Sequence, residues 1–324
     1  MERLAHLLLT LLDPERAHDI AVRGMLKRRL APGLYEPEGN NPDIFKTHLF
    51  GTEINNPIGL AAGFDKNGIL VDVAEDYGFG WVEVGSVTCQ GGPGNERPRM
   101  FRVGDRDVMN RMGLNGEPAW MVRERLLMCR SQAYGVNIAK THDPNIMGDA
   151  AIEDISESYR LLGGLGAYTV LNISCPNTAE GKTFEDPSAL RELLNACCLY
   201  RRGRPLLVKL SPNIQGDDLE QILILADDFN LSGFICSNTL PSVHEKYGKG
   251  GRSGDAVRGL SVALVHYVTA HIKKVVIGCG GIFSAVEVLQ YLKAGAPLVQ
   301  VYNGFVRGPN AGPRFVHRVL ELLE

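Results

Sequence analysis

A (β/α)8 TIM barrel with a small N-terminal helical extension is the fold predicted for this 324-residue chain. Eight short apolar runs recur from about residue 55 onward. Each run is continuous rather than alternating, as expected for parallel strands buried on both faces. Amphipathic stretches separate the runs, and a doubly wound sheet usually has fewer strands, with its glycine-rich turn after the first.

In chain order the strands are expected at Ile58–Ala62, Trp81–Gly85, Tyr134–Ala139, Tyr168–Ile173, Leu206–Leu210, Gly233–Cys236, Val275–Gly278 and Leu298–Tyr302. Helix patterns fill the intervals, for instance over 120–127 and 219–226. Asp186-Pro187 supplies an N-cap and a first-turn proline for a helix near 188–200. Two intervals exceed what a βα unit needs. The segment from Thr88 to Gly116, rich in Gly, Pro and Arg, reads as a functional cover, and 241–257 reads as a polar, glycine-rich, mobile loop. Ahead of the barrel, Leu4, Leu7, Leu8, Leu9, Leu11 and Leu12 give a short helix with a wide apolar face. Asp13-Pro14-Glu15 starts a second helix that ends in Lys27-Arg28-Arg29. The apolar run is too short to span a bilayer, and Glu2 with no small-residue cleavage site argues against a signal peptide. On pattern alone, a hairpin lying in the membrane interface and a helical cap on the barrel bottom stand equal.

Composition narrows the chemistry. A net charge of −3 argues against nucleic acid as the main partner, since phosphate backbones need a concentrated basic surface. Seven scattered cysteines without a C-x-x-C pair read as reduced thiols in a cytosolic setting, neither a disulfide framework nor a zinc site.

In a parallel barrel the working face is where the strands end. Those ends carry Ala62, Gly63 and Lys66; Ser86; Asn137; Asn172, Cys175 and Asn177; Lys209; Ser237, Asn238 and Thr239; Gly280-Gly281; and Tyr302-Asn303. Lys209 lies inside an apolar strand, which is costly unless a fixed anion or an electron-rich ring accepts it. Gly280-Gly281 ahead of a helix at Ser284 suits a phosphate, as barrels commonly bind one after strands seven and eight. A phosphate-anchored cofactor without metal ligands suggests FMN or pyridoxal phosphate. No strand-end carboxylate is evident for a pyridinium nitrogen, so the flavin fits better.

The pattern Gly59-Leu60-Ala61-Ala62-Gly63-Phe64-Asp65-Lys66-Asn67-Gly68 resembles the first-strand signature of dihydroorotate dehydrogenases. So do Glu83 to Thr88, Pro93-Gly94-Asn95, Arg97-Pro98-Arg99, Asn110-Arg111-Met112-Gly113, Asn172 to Thr178, Ser237-Asn238-Thr239 and Gly280-Gly281-Ile282, in the same order over nearly the whole chain. The segment Leu12 to His18 is similar to the helical extension of the membrane-associated, quinone-using class 2 enzymes.

The resemblance implies residues 1–35 as a helical hairpin for membrane and quinone access and 36–324 as an FMN-binding barrel. Dihydroorotate would reduce FMN, and a quinone would reoxidise it at the cytoplasmic side of the inner membrane, the protein being peripheral or cytoplasmic. Fumarate or NAD as acceptor, another dihydropyrimidine as substrate, and a flavin-binding protein without turnover remain alternatives. Lys66, Asn110, Arg111, Met112, Gly113, Leu114, Asn172, Asn177, Asn238 and Thr239 would surround orotate. Ala62, Gly63, Lys66, Ser86, Asn137, Asn172, Lys209, Ser237, Gly259, Gly281, Tyr302 and Asn303 would surround FMN. Cys175 would remove the C5 proton, Thr178 would pass it towards solvent, and Lys66 would complete the catalytic set. Three positions depart from class 2: Cys175 in place of serine, Leu114 in place of phenylalanine, and the insert at 241–257. A cysteine needs only modest help to act as a base, its ordinary pKa being about 8.5.

Overall fold

A computed structural model describes residues 9–29, 43–174, 184–308 and 311–324. Residues 9–11 are helical and lead into α1 (Pro14–Arg29); the earlier leucines and the expected boundary at 35/36 lie outside the described residues. An antiparallel hairpin, β1 (Thr47–Leu49) and β2 (Thr52–Ile54), precedes the barrel. The barrel strands are β3 (Ile58–Leu60), β4 (Trp81–Val87), β7 (Tyr134–Ile138), β8 (Tyr168–Asn172), β9 (Leu206–Leu210), β10 (Gly233–Cys236), β13 (Val275–Cys279) and β14 (Leu298–Val301). They close in parallel in that order, so all eight expected strands form.

Helices α2 (Ala119–Leu127), α3 (Asp149–Leu162), α4 (Pro187–Cys198), α5 (Gly216–Asp228), α6 (Asp255–His271) and α7 (Ala285–Lys293) run between strands. Short α8 (Asn303–Val306) and α9 (Phe315–Glu321) follow the last one. The expected cap is present on α4, where the Asp186 carboxylate accepts the Ala189 N–H at 2.8 Å.

Side-chain alternation divides each strand between two layers. Val82, Val84, Val136, Val208, Val276 and Val299 face outward into the strand–helix core. Trp81, Tyr168, Val170, Leu207, Ile235, Ile277 and Leu298 face inward and fill the lower barrel, closed by Leu49 and Ile54 of the hairpin. Fully burying such a side chain is worth roughly 1.5–3 kcal/mol. One step further along the inward rows the residues become polar: Glu83, Asn137, Lys209 and Gln300, all buried. The lower barrel is therefore a dry plug and its upper half an ionic, amide-rich floor.

The two long intervals are not loops. Thr88 to Gly116 contains β5 (Met100–Val103) and β6 (Asp107–Asn110), and 241–257 contains most of β11 (Leu240–His244) and all of β12 (Gly248–Ser253). They join as one antiparallel sheet in the order β11-β12-β6-β5. The expectation of a mobile loop at 241–257 is thus overturned. Glycine-rich β12 carries almost no strand pattern of its own, and its pairing with β6 through Gly251–Asn110 and Arg252–Met109 is non-local. Arg252 reinforces that pairing with a 2.8 Å hydrogen bond from Nε to the Asp107 carboxylate.

Helix α1 packs beside the strand C-termini, against β5, and not beneath the barrel. Its buried Glu15 accepts hydrogen bonds from Arg99 Nη2 at 2.7 Å and Arg97 Nη2 at 2.9 Å. Burial alone would raise the Glu15 pKa, but the two guanidinium groups outweigh it and hold the carboxyl below its ordinary 4.5. The stabilisation is therefore present above the unfolded-state pKa and lost as pH falls through the lower folded one. Glu15→Ala strands Arg99 and is expected to destabilise α1 docking by about 3 kcal/mol. Hydrogen exchange of α1 should accelerate accordingly, and the wild type should show the same loosening only at acid pH; unchanged exchange in the variant would remove the pair from the docking of α1.

Candidate active site

Above the polar floor lies a cavity bounded by the barrel mouth and the four-stranded sheet. Ala61, Ala62, Gly63, Lys66, Gly85, Ser86, Asn172, Lys209, Ser237, Asn238, Thr239, Gly281, Tyr302 and Asn303 line it from the barrel. Met100, Val108, Asn110, Met112, Leu114 and Ser253 line it from the sheet and its connections.

Local structure explains several of these placements. After β3 the buried Asp65 carboxylate accepts the backbone N–H groups of Asn67 at 3.3 Å, Ile69 at 3.0 Å and Leu70 at 2.7 Å. That turn presents Lys66, whose Nζ donates to the Gly63 carbonyl at 2.9 Å. Burial lowers the Lys66 pKa from 10.5 to about 8, with Glu15 and Asp19 opposing and Arg99 adding to the fall. At Gly85 a Cβ would drive into the Asn137 carbonyl, so glycine is required where β4 meets β7. Gly281 has φ +64°, and a Cβ there would stand 2.6 Å from the Gly254 carbonyl oxygen. Two glycine turns, ahead of α7 and α6, thus meet in the cavity wall. Ser284 caps α7 by accepting the Val286 N–H at 3.2 Å.

The amides are ordered by hydrogen bonds among themselves. Ser86 Oγ donates to Asn137 Oδ1 at 2.5 Å, and Asn172 Nδ2 donates to Ser86 Oγ at 2.9 Å. Asn238 Nδ2 reaches Asn172 Oδ1 at 3.3 Å and Ser174 Oγ at 3.2 Å. Lys209 Nζ stands 3.7 Å from the fully buried Glu83 carboxylate. A wall with two ammonium groups, oriented carboxamides and a double-glycine turn matches a flat, amide-edged cofactor bearing a phosphate.

Several expected residues stand elsewhere. Asn137 sits behind the wall, supporting Ser86. Arg111 turns away, donating to the Tyr247 carbonyl at 2.5 Å and stacking over Phe101. Gly113 is buried against Asn95, next to Met112 and Leu114, which do line the cavity. Leu114 has φ +50°, a left-handed conformation that costs a non-glycine residue about 1–2 kcal/mol. Gly259 lies exposed within α6, outside the cavity wall, while Gly254 and Val257 of the same segment line it. A glycine at the start of a helix approaches a ligand with its backbone; one turn further along, the helix axis has carried it away. Cys175, Asn177 and Thr178 lie outside the described residues; Asn172 and Ser174 mark where their segment leaves the rim. Sequence reasoning missed Asn115, Ser253 and Gln300, as well as Glu83 beneath them. An acid inside the apolar run Trp81–Gly85 was the available signal for Glu83.

Among the described residues no cluster of His, Cys, Asp and Glu could hold a metal ion. The Cys279 thiol in the cavity wall is pushed up by burial, Lys209 opposing, so it stays protonated.

A second, apolar cavity opens between α1 and the barrel. Leu9, Pro14, Ala17, Ala21, Met25, Phe64, Tyr77 and Phe305 line it, with Thr10, His18, Arg102, Tyr302 and Arg307 as its polar groups. Met100, Val108 and Tyr302 belong to both cavities. The His18 ring meets Phe64 edge-on at 4.7 Å, and its Nδ1 is buried without a partner. Burial, aided by nearby Lys66, lowers the His18 pKa to about 3, so the imidazole is neutral. Arg102 donates to the carbonyls of Leu12 at 2.6 Å and Leu9 at 3.2 Å. Among the described residues no helix is long and apolar enough to cross a membrane.

The family model described as dihydroorotate dehydrogenase matches residues 44–323. A dihydroorotate dehydrogenase (quinone) of Mycolicibacterium vanbaalenii is 38% identical over 322 residues, covering 92% of this chain and 88% of that one. One from Thermobifida fusca is 36% identical over 340 residues, covering 97% and 89%. The crystal structure of DHODH from Eimeria tenella in complex with ferulenol superposes with a TM-score of 0.85 at 28% identity, covering 96% of this chain and 90% of that one.

Lys66 is a cation only below about pH 8, and burial penalises that form; the folding penalty is full below pH 8 and is relieved as pH rises towards 10.5. Affinity for a carboxylate ligand in this cavity should run the other way, weakening as pH climbs through about 8. Dissociation constants measured between about pH 6 and 10 test this, and a flat profile would remove Lys66 as the carboxylate's partner.

Proposed function

This chain belongs to the dihydroorotate dehydrogenase family, and from that premise we propose that it oxidises dihydroorotate to orotate in pyrimidine biosynthesis, with FMN as its cofactor and a quinone as second acceptor. The observation that carries this reading is the pair of cavities sharing one wall at Tyr302, Met100 and Val108, one polar and the other apolar. A reaction in two stages needs a charged, planar substrate on one side of the cofactor and a lipophilic acceptor near its other edge.

FMN, when bound, supplies the hydride acceptor for C6 of dihydroorotate and passes the electrons on. The rest is the work of this chain. The double-glycine turn at Gly280-Gly281 would hold the phosphate, with Ala62, Gly63, Ser237, Tyr302 and Asn303 around the remainder. Lys209 would place its charge at the edge of the ring system, and Ser86 would fix that edge. Lys66 would pair with the substrate carboxylate, while Asn110, Asn172, Asn177, Asn238 and Thr239 would bracket the pyrimidine ring. Cys175 would take the C5 proton, and Thr178 would hand it towards solvent. Met112 and Leu114 would shut water out from above.

The apolar cavity suits a quinone. Neutral His18, with its unpartnered Nδ1, and Arg102 offer polar contacts for a carbonyl within walls of Ala17, Ala21, Phe64 and Phe305. Fumarate and NAD have little apolar surface to place against walls that are mostly aliphatic and aromatic, a poor match to such a lining. Peripheral membrane attachment through α1 and the helical residues just before it belongs to the same proposal: Leu11, Leu12 and Ile20 are exposed.

The purified protein should be yellow, bleach anaerobically with dihydroorotate, and recolour faster with a soluble quinone than with fumarate or NAD. Absence of bleaching at saturating substrate would defeat the assignment. Cys175→Ala should retain flavin and slow its reduction by about 10²–10⁴-fold; an unchanged rate in stopped flow would take Cys175 out of the reaction.

A further inference from the structure

We propose that Glu83 is a positioning residue: it dictates which way the cavity's amides present their donors and acceptors, and it balances the charge of Lys209 beside the flavin. The inference rests on the FMN reading above. Glu83 is wholly buried in β4, facing inward between Trp81 and Gly85. A carboxylate only accepts hydrogen bonds. It takes one from Asn137 Nδ2 at 2.8 Å, one from the Tyr168 hydroxyl at 2.8 Å and one from Gln300 Nε2 at 2.6 Å.

The consequences propagate outward. Because Asn137 commits its NH2 to Glu83, its Oδ1 faces Ser86, whose hydroxyl must donate to it at 2.5 Å. Ser86 Oγ is then free to accept Asn172 Nδ2 at 2.9 Å. Asn172 Oδ1 is left as the acceptor for Ser174 Oγ at 3.2 Å and Asn238 Nδ2 at 3.3 Å. Every carboxamide along this path has its flip decided by the one before it, and the first is decided by Glu83. Gln300 gives a second, independent sign. It also lines the cavity, yet it spends its Nε2 on Glu83 and leaves Oε1 buried without a partner. Its orientation serves the carboxylate rather than its own hydrogen bonding.

Electrostatics follow from the same contacts. Glu83 offsets the Lys209 charge at 3.7 Å, and both side chains are buried, so solvent screening of the pair is weak. A neutral isostere at position 83 leaves Lys209 uncompensated and favours electrons on the flavin. Loss of the Tyr168 hydroxyl does the reverse, because the carboxylate's charge is less dispersed.

The test is a dye-coupled redox titration of the FMN-loaded protein and two variants. Glu83→Gln should shift the flavin equilibrium towards the reduced form by about tenfold, or about 30 mV upward for a two-electron couple. Tyr168→Phe should shift it two- to threefold the other way, a rough expectation from partial charge dispersal. Orotate, titrated by the flavin absorption change, should bind about tenfold more weakly to Glu83→Gln, because the amides lose their imposed direction. A purely structural role predicts lower stability with potentials unmoved. Unchanged potentials, or shifts of the same sign in both variants, overturn the inference while leaving the function intact. If Glu83→Gln does not fold, Tyr168→Phe decides by the sign of its shift. A wild-type protein that binds no FMN would overturn the functional reading and this inference together.

Discussion

Inside a closed eight-stranded barrel a charge is largely withdrawn from bulk water, and among the described residues Glu83 and Lys209 face one another there, both buried. Neither is tolerable alone. Together they require neutral donors for the remaining carboxylate lone pairs, and Asn137, Tyr168 and Gln300 come from three different strands to supply them. The Tyr168 hydroxyl, its pKa raised far above ordinary by burial and by the adjacent carboxylate, remains a donor throughout. Below this layer the barrel is an apolar plug; above it the amides inherit a direction. The ionic floor is thus where packing turns into chemistry.

A second constraint lies outside the barrel. Arg99 holds α1 through Glu15 and, with the same guanidinium, donates from Nη1 to the carbonyls of Pro93 at 2.5 Å and Asn95 at 2.8 Å. Asn95 in turn donates to the Arg111 carbonyl at 2.8 Å and contacts His142 at 2.9 Å. The helix that roofs the apolar cavity and the segment that covers the polar one therefore share one buried cation. Tyr302 stands between the two cavities, with its phenol kept protonated by burial and His18 stacked at 6.5 Å. A shared wall of this kind lets two ligands of opposite polarity approach one ring system without competing for the same volume.

Much of the barrel could be read from residue order. The runs at Leu206–Leu210 and Gly233–Cys236 became strands over those same bounds, and the others shifted by only one or two residues at one end. Lys66, Asn172, Lys209, Asn238 and Gly281 reached the cavity as the strand-end rule implies. The misses share a cause. β12 has a glycine-rich sequence that says nothing of strand until β6 pairs with it. Gly259 was placed by motif without regard to helix geometry, and its turn of α6 points to solvent. Glu83 stands inside a strand motif and was passed over, although one of the two partners that Lys209 called for, a fixed anion or an electron-rich ring, was such a group.

Residue order by itself determined the strands, their succession and the chemistry gathered at their ends, because hydrophobic periodicity and turn residues act over a few positions. Folding in three dimensions settled the pairings. Gln300 meets Glu83 across 217 residues, Arg99 meets Glu15 across 84, and the sheet over the mouth joins segments as distant as Asn110 and Gly251. Such contacts depend on barrel closure and helix docking, which bring buried charges within reach of the distant donors and acceptors that satisfy them.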